Sequence, residues 1–223
     1  MLSTCTAKLE SYSSDQSTSP PVIHMPRAFN AAHDLLERNI LAGRSKKIAY
    51  IDDAGRYTYE DLMTRANQSG NVLRALGLKM EDRVMLIQSD TIDFPAVFLG
   101  AIKVGVVPIA VNTLLTPDDY DFMMEDSRAK VLIVTSSLLE KLSKAISNSK
   151  HLEHIIVSGE EVPQYQHLQS LQSEAHCDCD PAVTSCDDTC FWLYSSGSTG
   201  TPKGTLHVPV SYTHLTLPTK WIV

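Results

Sequence analysis

VMLIQSDTIDFPAVFLGAIKVGVVPIAV, residues 84–111, decides the fold. Val84 to Ile87 is an apolar run without polar alternation, as expected of a short strand buried on both faces. A helical segment through Pro95 to Lys103 follows, and Val106 to Val111 is a second strand-like run. Strand, helix and strand make one parallel β-α-β unit, because parallel neighbours need a crossover connection. The most apolar part, Val97 to Val111, is interrupted by Lys103 and Pro108 and is shorter than the roughly 20 residues that span a membrane. It is core helix plus core strand.

The same rhythm extends outward. Downstream, Thr116-Pro117-Asp118-Asp119 combines a cap, a first-turn proline and acids that suit the helix dipole. Val131 to Val134 then predicts a strand, Leu138 to Ile146 a helix and His154 to Val157 a strand. Upstream, Ala32, Leu35, Leu36 and Ile40 recur at helical spacing before Gly43. Lys47 to Ile51 and Arg56 to Tyr59 flank Asp52-Asp53-Ala54-Gly55 as a β-hairpin. Thr58, with Asp61 three residues on, caps a helix whose buried stripe is Leu62, Ala66, Leu73 and Leu76, and Gly77 ends it. The fold class is α/β, with β-α-β layers and helices on both faces of a sheet. Residues 159–188 break the rhythm and are expected to form a long surface connection. Residues 1–21, rich in Ser, Thr and Pro, are expected to be a disordered tail.

The 223 residues are 43% hydrophobic and 20% charged, an ordinary globular composition. The net charge of −7 repels polyanions, and there is no basic stripe interleaved with aromatics, so nucleic acid is excluded as a partner. The first twenty residues contain Glu10 and Asp15 and have neither an apolar core nor an arginine, unlike a secretory or mitochondrial signal. The expectation is a cytoplasmic protein with no membrane partner. Cys177, Cys179, Cys186 and Cys190, with His176 beside them, fit neither paired CxxC knuckles nor a Cys/His finger, so no metal site is assigned.

Phe191-Trp192-Leu193-Tyr194 is a strand-like run feeding Ser195-Ser196-Gly197-Ser198-Thr199-Gly200-Thr201-Pro202-Lys203-Gly204. Glycines let backbone amides converge on an anion, while hydroxyls and an ammonium add charge-assisted donors, which together make a phosphate cradle. Pro202 stands where a Walker A loop needs the glycine before its lysine. Ser/Gly-rich stretches are usually linkers, and here the order of the residues decides against that. Asp90, Asp93, Asp118 and Asp119 are expected near helix starts as caps or dipole partners. His24, His33, His151, His154, His167 and His176 lack ligand spacing.

YSSGSTGTPKG, residues 194–204, closely resembles the phosphate-binding signature of the adenylate-forming (acyl-activating, AMP-binding) superfamily. IAYIDDAGRYTYEDL (48–62), DTIDFPAVFLGAIKVGVVPIAVNTLLTPDDY (90–120), MEDSRAKVLIV (124–134) and CFWLYSSGSTGTPKGTLH (190–207) resemble its benzoate–CoA ligase branch, over roughly residues 28–207. The resemblance implies an acid–thiol ligase. A carboxylate attacks the α-phosphate of ATP to give an acyl-adenylate and pyrophosphate, and coenzyme A thiol then displaces AMP, with Mg2+ accompanying the nucleotide. Ser195 to Gly204 would wrap the β- and γ-phosphates, with Ser198, Thr199 and Lys203 as the principal side chains, and the other substrate would be a small aromatic carboxylate. His207, just past the loop, is a candidate near the acyl pocket.

After His207 the resemblance stops. Residues 22–208 are therefore expected to be an incomplete AMP-binding amino-terminal domain and residues 209–223 a non-native tail. Catalytic residues are expected beyond this stretch, leaving the chain inactive as written. Two other readings stay open: a non-catalytic nucleotide-binding or interaction fragment, and an adenylating enzyme that transfers to a carrier-protein thiol. The acid, the acceptor and the oligomeric state are not determined by the sequence.

Overall fold

The computed structural model describes residues 9–17, 22–195 and 202–210. In chain order it runs β1 (Ser13–Asp15), β2 (Val22–His24), α1 (Ala31–Leu41), β3 (Ile48–Asp52), β4 (Gly55–Thr58), α2 (Tyr59–Ala75), β5 (Arg83–Ile87), α3 (Asp93–Lys103) and β6 (Val107–Ala110). It continues with α4 (Pro117–Ser127), β7 (Val131–Thr135), a 3-10 turn (Ser136–Leu138), α5 (Leu139–Asn148), β8 (His154–Ser158), β9 (Gln166–His167), α6 (Leu168–Glu174), β10 (Phe191–Ser195) and β11 (Lys203–His207).

The main sheet has the order β11-β10-β6-β5-β7-β8-β9, and every neighbouring pair is parallel except β10 with β11. Side chains of β5 alternate between two cores because successive residues of a strand point to opposite faces. Val84 and Leu86 pack with Leu73, Val97, Ala101 and Leu168, from α2, α3 and α6. Met85 and Ile87 pack with Tyr120, Met124, Leu142 and Ala145, from α4 and α5. Helices thus cover both faces, as the apolar run at 84–87 requires. Among the described residues, no helix is long and apolar enough to cross a membrane.

Local chemistry sets the element ends. Thr58 and Thr116 each form a capping box, with Asp61 and Asp119 respectively. Asp52 turns the hairpin, its Oδ1 accepting from the amides of Ala54 and Gly55 at 2.9 Å each. Its Oδ2 accepts from Ile92 at 2.9 Å, which ties the hairpin to the start of α3 and, with the turn amides, lowers the Asp52 pKa. Helices α2 and α3 cross at two glycines. A Cβ on Gly100 would lie 2.5 Å from the Ala66 carbonyl oxygen and 2.9 Å from the Gly70 nitrogen, so only glycine allows this backbone approach.

Two expectations are corrected. Residues 159–188 are not a plain loop, because they contain β9 and α6. Leu168 and Gln172, four apart, are both buried, and the Gln172 side chain donates to Ser69 Oγ at 2.9 Å. The tail is not without structure in its described part: β1 pairs antiparallel with β2. Arg38 holds that segment, its guanidinium 4.0 Å over the Tyr12 ring and donating to the Tyr12 carbonyl at 2.8 Å. Asp90 and Asp93 give α3 no side-chain cap, since Ile92 stands at its N-cap, but Asp93 does hold the first-turn position expected of a dipole partner. It is also buried, 3.9 Å from Arg65 and accepting from Gln169, and burial raises its pKa against the opposing pull of Arg65. Residues 1–8, 18–21 and 211–223, and with them most of the expected tails, lie outside the described residues.

Candidate functional site

The glycine-rich segment is the connection of an antiparallel hairpin at the carboxyl end of the parallel strands. β10 runs beside β6, with Trp192 opposite Ile109 and Leu193 opposite Ala110. It turns back as β11 in the register Phe191↔His207, Tyr194↔Gly204 and Ser195↔Lys203. Ser195 and Lys203 therefore face each other across the loop's base, both exposed, with the Ser195 hydroxyl donating to the Lys203 carbonyl at 3.5 Å. Ser196, Gly197, Ser198, Thr199, Gly200 and Thr201 lie outside the described residues; Ser195, Pro202, Lys203 and Gly204 are inside them.

Beneath the base, Ala110, Asn112, Leu115, Asp119, Met123, Tyr194, Ser195 and Pro202 line a cavity of about 300 Å³. Tyr194 reaches across to α4, where its hydroxyl donates to Asp126 Oδ2 at 2.6 Å and lies 3.4 Å from the Met123 carbonyl. Burial, then the hydrogen bond and charge of Asp126, push the Tyr194 phenol well above its ordinary value, so it remains a donor at neutral pH. Trp192 stacks on Tyr194, with ring centroids 5.7 Å apart. Gly204, assigned to the phosphate loop from sequence, has a packing reason as well. A Cβ there would sit 2.0 Å from Trp192 Nε1.

His207 is placed elsewhere. It is paired with Phe191 at the far end of the hairpin, four residues from the loop base, or about 13 Å along a strand. Its ring stacks on Phe191 at 4.6 Å between centroids, and Phe191 in turn meets Phe98 at 5.4 Å. Among the described residues His207 and the loop base are not brought together.

The cysteine segment is held by α2. Asn67 donates to the Cys177 carbonyl at 2.8 Å, Asn71 to those of His176 and Asp178 at 2.9 and 2.8 Å, and Arg74 to that of Asp180 at 2.7 Å. Burial raises the Cys179 pKa and pushes the Cys190 thiol up to about 12, which keeps both protonated and unreactive at neutral pH. Among the described residues no group of three or more His, Cys, Asp or Glu side chains could hold a metal ion.

Sequence reasoning missed the Tyr194–Asp126 tie. The two residues are 68 positions apart, and only the aromatic hydroxyl just before the loop hints at a partner.

Comparison with known proteins gives a consistent result. The chain is 49% identical over 201 residues to the benzoate–CoA ligase of Thauera aromatica, covering 90% of this chain and 38% of that protein. It is 40% identical over 182 residues to a 4-hydroxybenzoate–CoA/benzoate–CoA ligase of Rhodopseudomonas palustris, covering 82% and 34%. Among solved structures it superimposes on an anthranilate CoA ligase in complex with anthranoyl-AMP with a TM-score of 0.80 at 34% identity, over 84% of this chain and 36% of that one. A benzoate CoA ligase from Burkholderia xenovorans LB400 gives 0.72 at 38% identity, over 82% and 35%. The chain thus spans little more than a third of the length of these relatives. The family model described as AMP-binding enzyme matches residues 36–217, and the chain belongs to that family.

Proposed function

We propose that this chain supplies the triphosphate-gripping part of an ATP-dependent ligase that activates a benzoate-like carboxylate as its adenylate and passes the acyl group to coenzyme A. The observation that carries the reading is the hairpin. It presents Ser195 and Lys203 at the carboxyl edge of a parallel sheet, on either side of a Ser/Thr/Gly connection, in a chain 49% identical to a benzoate–CoA ligase. In the reaction a carboxylate oxygen bonds to the α-phosphorus as the bond to pyrophosphate breaks. Negative charge then gathers on the departing group, and donors fixed beforehand stabilise it without reorganising. Lys203, exposed beside the loop base, is the cation assigned to that charge.

The test grafts residues 22–207 in place of the aligned segment of the Thauera aromatica ligase. Lys203→Ala should slow benzoate-dependent pyrophosphate exchange roughly a hundredfold, the usual effect of losing one preorganised donor. Thioester formation from supplied benzoyl-adenylate should change far less. Unaltered pyrophosphate exchange in a folded graft would remove Lys203 from the assigned role. The 223-residue chain by itself is expected to give no adenylate, since it covers 38% of that relative's length.

A further inference from the structure

The support of the loop is uneven along the hairpin. At its far end, the Cys190 amide donates to the His207 carbonyl at 2.8 Å, and the Val210 amide to the Cys186 carbonyl at 3.1 Å. In the middle, Trp192 and Leu193 pair with β6. The pairing with β6 stops there, two residues before the connection begins, and β11 is an edge of the sheet among the described strands. At Tyr194 and Ser195 the ladder continues only within the hairpin itself. Internal ladder bonds hold the two arms together there, but β6 gives neither Tyr194 nor Ser195 a partner.

At this point the Tyr194 side chain leaves the sheet and bonds to α4 through Asp126, at 2.6 Å. Helix α4 is itself braced on α5, with Lys144 at 2.6 Å from Asp118 and 3.7 Å from Asp121, and Asn148 donating to Asp121 at 3.0 Å. The cavity of about 300 Å³ behind Ser195 and Pro202 gives the hairpin room to lean if the tie is lost. Given the reading of residues 195–204 as a triphosphate grip, we infer that Tyr194 and Asp126 form the anchor that fixes the base of that loop, so that both act as positioning residues for phosphate binding. Neither touches phosphate. Their effect passes through the direction in which Ser195 and Lys203 are held, and positional errors of about 1 Å in such groups cost rates and affinities heavily.

The experiment uses the 223-residue chain and inorganic tripolyphosphate as the probe, with Tyr194→Phe, Asp126→Ala, Asp126→Asn and Lys203→Ala compared. Tyr194→Phe and Asp126→Ala should each weaken tripolyphosphate binding about tenfold, and together no further than either alone. Asp126→Asn, which keeps an oxygen acceptor, should fall between these and the parent. Amide exchange, followed in parallel, should speed up at Tyr194, Ser195, Lys203 and Gly204 in the two disrupted variants and not in β5 or β7. A purely structural role would lower Tm while leaving the affinity of the folded chain unchanged. Parent-like affinity in Tyr194→Phe, with Lys203→Ala impaired, overturns the anchor and spares the phosphate reading. If the parent binds no tripolyphosphate, the phosphate reading fails instead. The exchange measurement then decides the anchor, and equal exchange in parent and Tyr194→Phe overturns it.

Discussion

Replacing Gly204 by alanine tests whether this glycine answers to packing or to phosphate. No left-handed backbone angle is found at Gly204, so alanine meets no conformational barrier there. The obstacle is Trp192, whose Nε1 would lie 2.0 Å and whose Cε2 and Cζ2 would lie 2.3 Å from the new Cβ. Non-bonded heavy atoms rest at about 3.5 Å, so roughly 1.5 Å of separation has to be made. Strand β11 cannot supply it without breaking its ladder with β10, since Gly204 is registered opposite Tyr194. The indole can, because a cavity of about 400 Å³ lined by Arg83, Val107, Thr189, Trp192 and Leu206 lies beside it. Swinging there takes Trp192 off the ring of Tyr194 and out of its contacts with the α4 core. With that escape open, the cost should fall in the lower part of the overpacking range, about 1–2 kcal/mol. The chain has two tryptophans, so Trp221→Phe leaves Trp192 as sole reporter. In that background Gly204→Ala should lower the urea midpoint and redden the indole emission. With Trp192→Leu also present, and circular dichroism as the probe, the same alanine should cost under about 0.5 kcal/mol, because removing the obstacle removes the overpacking. Equal costs in both backgrounds, or an unshifted emission spectrum, would refute the packing argument and leave phosphate as the reason for the glycine.

Two further outcomes follow from the helical layer. Gly100→Ala drives a Cβ against the Ala66 carbonyl and the Gly70 amide, which are backbone and cannot swing aside. It should destabilise the chain by about 1–3 kcal/mol in urea unfolding and separate α2 from α3; a variant within 0.5 kcal/mol of the parent would show that this crossing is looser than described. Asp93 has its pKa raised above the ordinary 3.8 by burial. Its contribution to stability is thus fully present below 3.8 and is lost as pH rises through the elevated folded value. Asp93→Asn should gain on the parent at pH 7, with the gain fading toward pH 4; a loss at pH 7 would mean that Arg65 outweighs the burial.

Legibility in the sequence followed the range of the interactions. Thr58 and Thr116 announce their helices because a cap and its partner are three residues apart. The strands at 84–87 and 131–134 were visible because burial on both faces removes polar residues altogether. Helix α6 was hidden because its seven residues carry only two leucines among glutamines and serines, and its buried polar residue, Gln172, is satisfied by Ser69 from far away in sequence. For the same reason the burial of Asp93 has no local sign. It is the helix-start acid that the sequence suggests, and only the tertiary placement of Arg65 and Gln169 makes it a buried one. In the site, residue types and order are enough to propose a phosphate loop at residues 195–204. Neither the remoteness of His207 from the loop base nor the tie from Tyr194 to Asp126 has a local signature.

The charge balance explains why the geometry of the loop base matters so much. Under the proposed function, a net charge of −7 opposes a nucleotide that is itself polyanionic, so long-range steering would work against association. Affinity has to come at contact distance, from donors already pointing at the anion, because those are the interactions least weakened by a repulsive background and by solvent screening. Lys203 is exposed and on a long flexible stem, and by itself it would be a poorly directed cation. On the proposed reading, the hairpin would supply the direction by pairing Lys203 with Ser195, and α4 would fix the hairpin through Tyr194. Weakening that mechanical chain anywhere should therefore show up as lost phosphate affinity even where every phosphate-facing residue is intact.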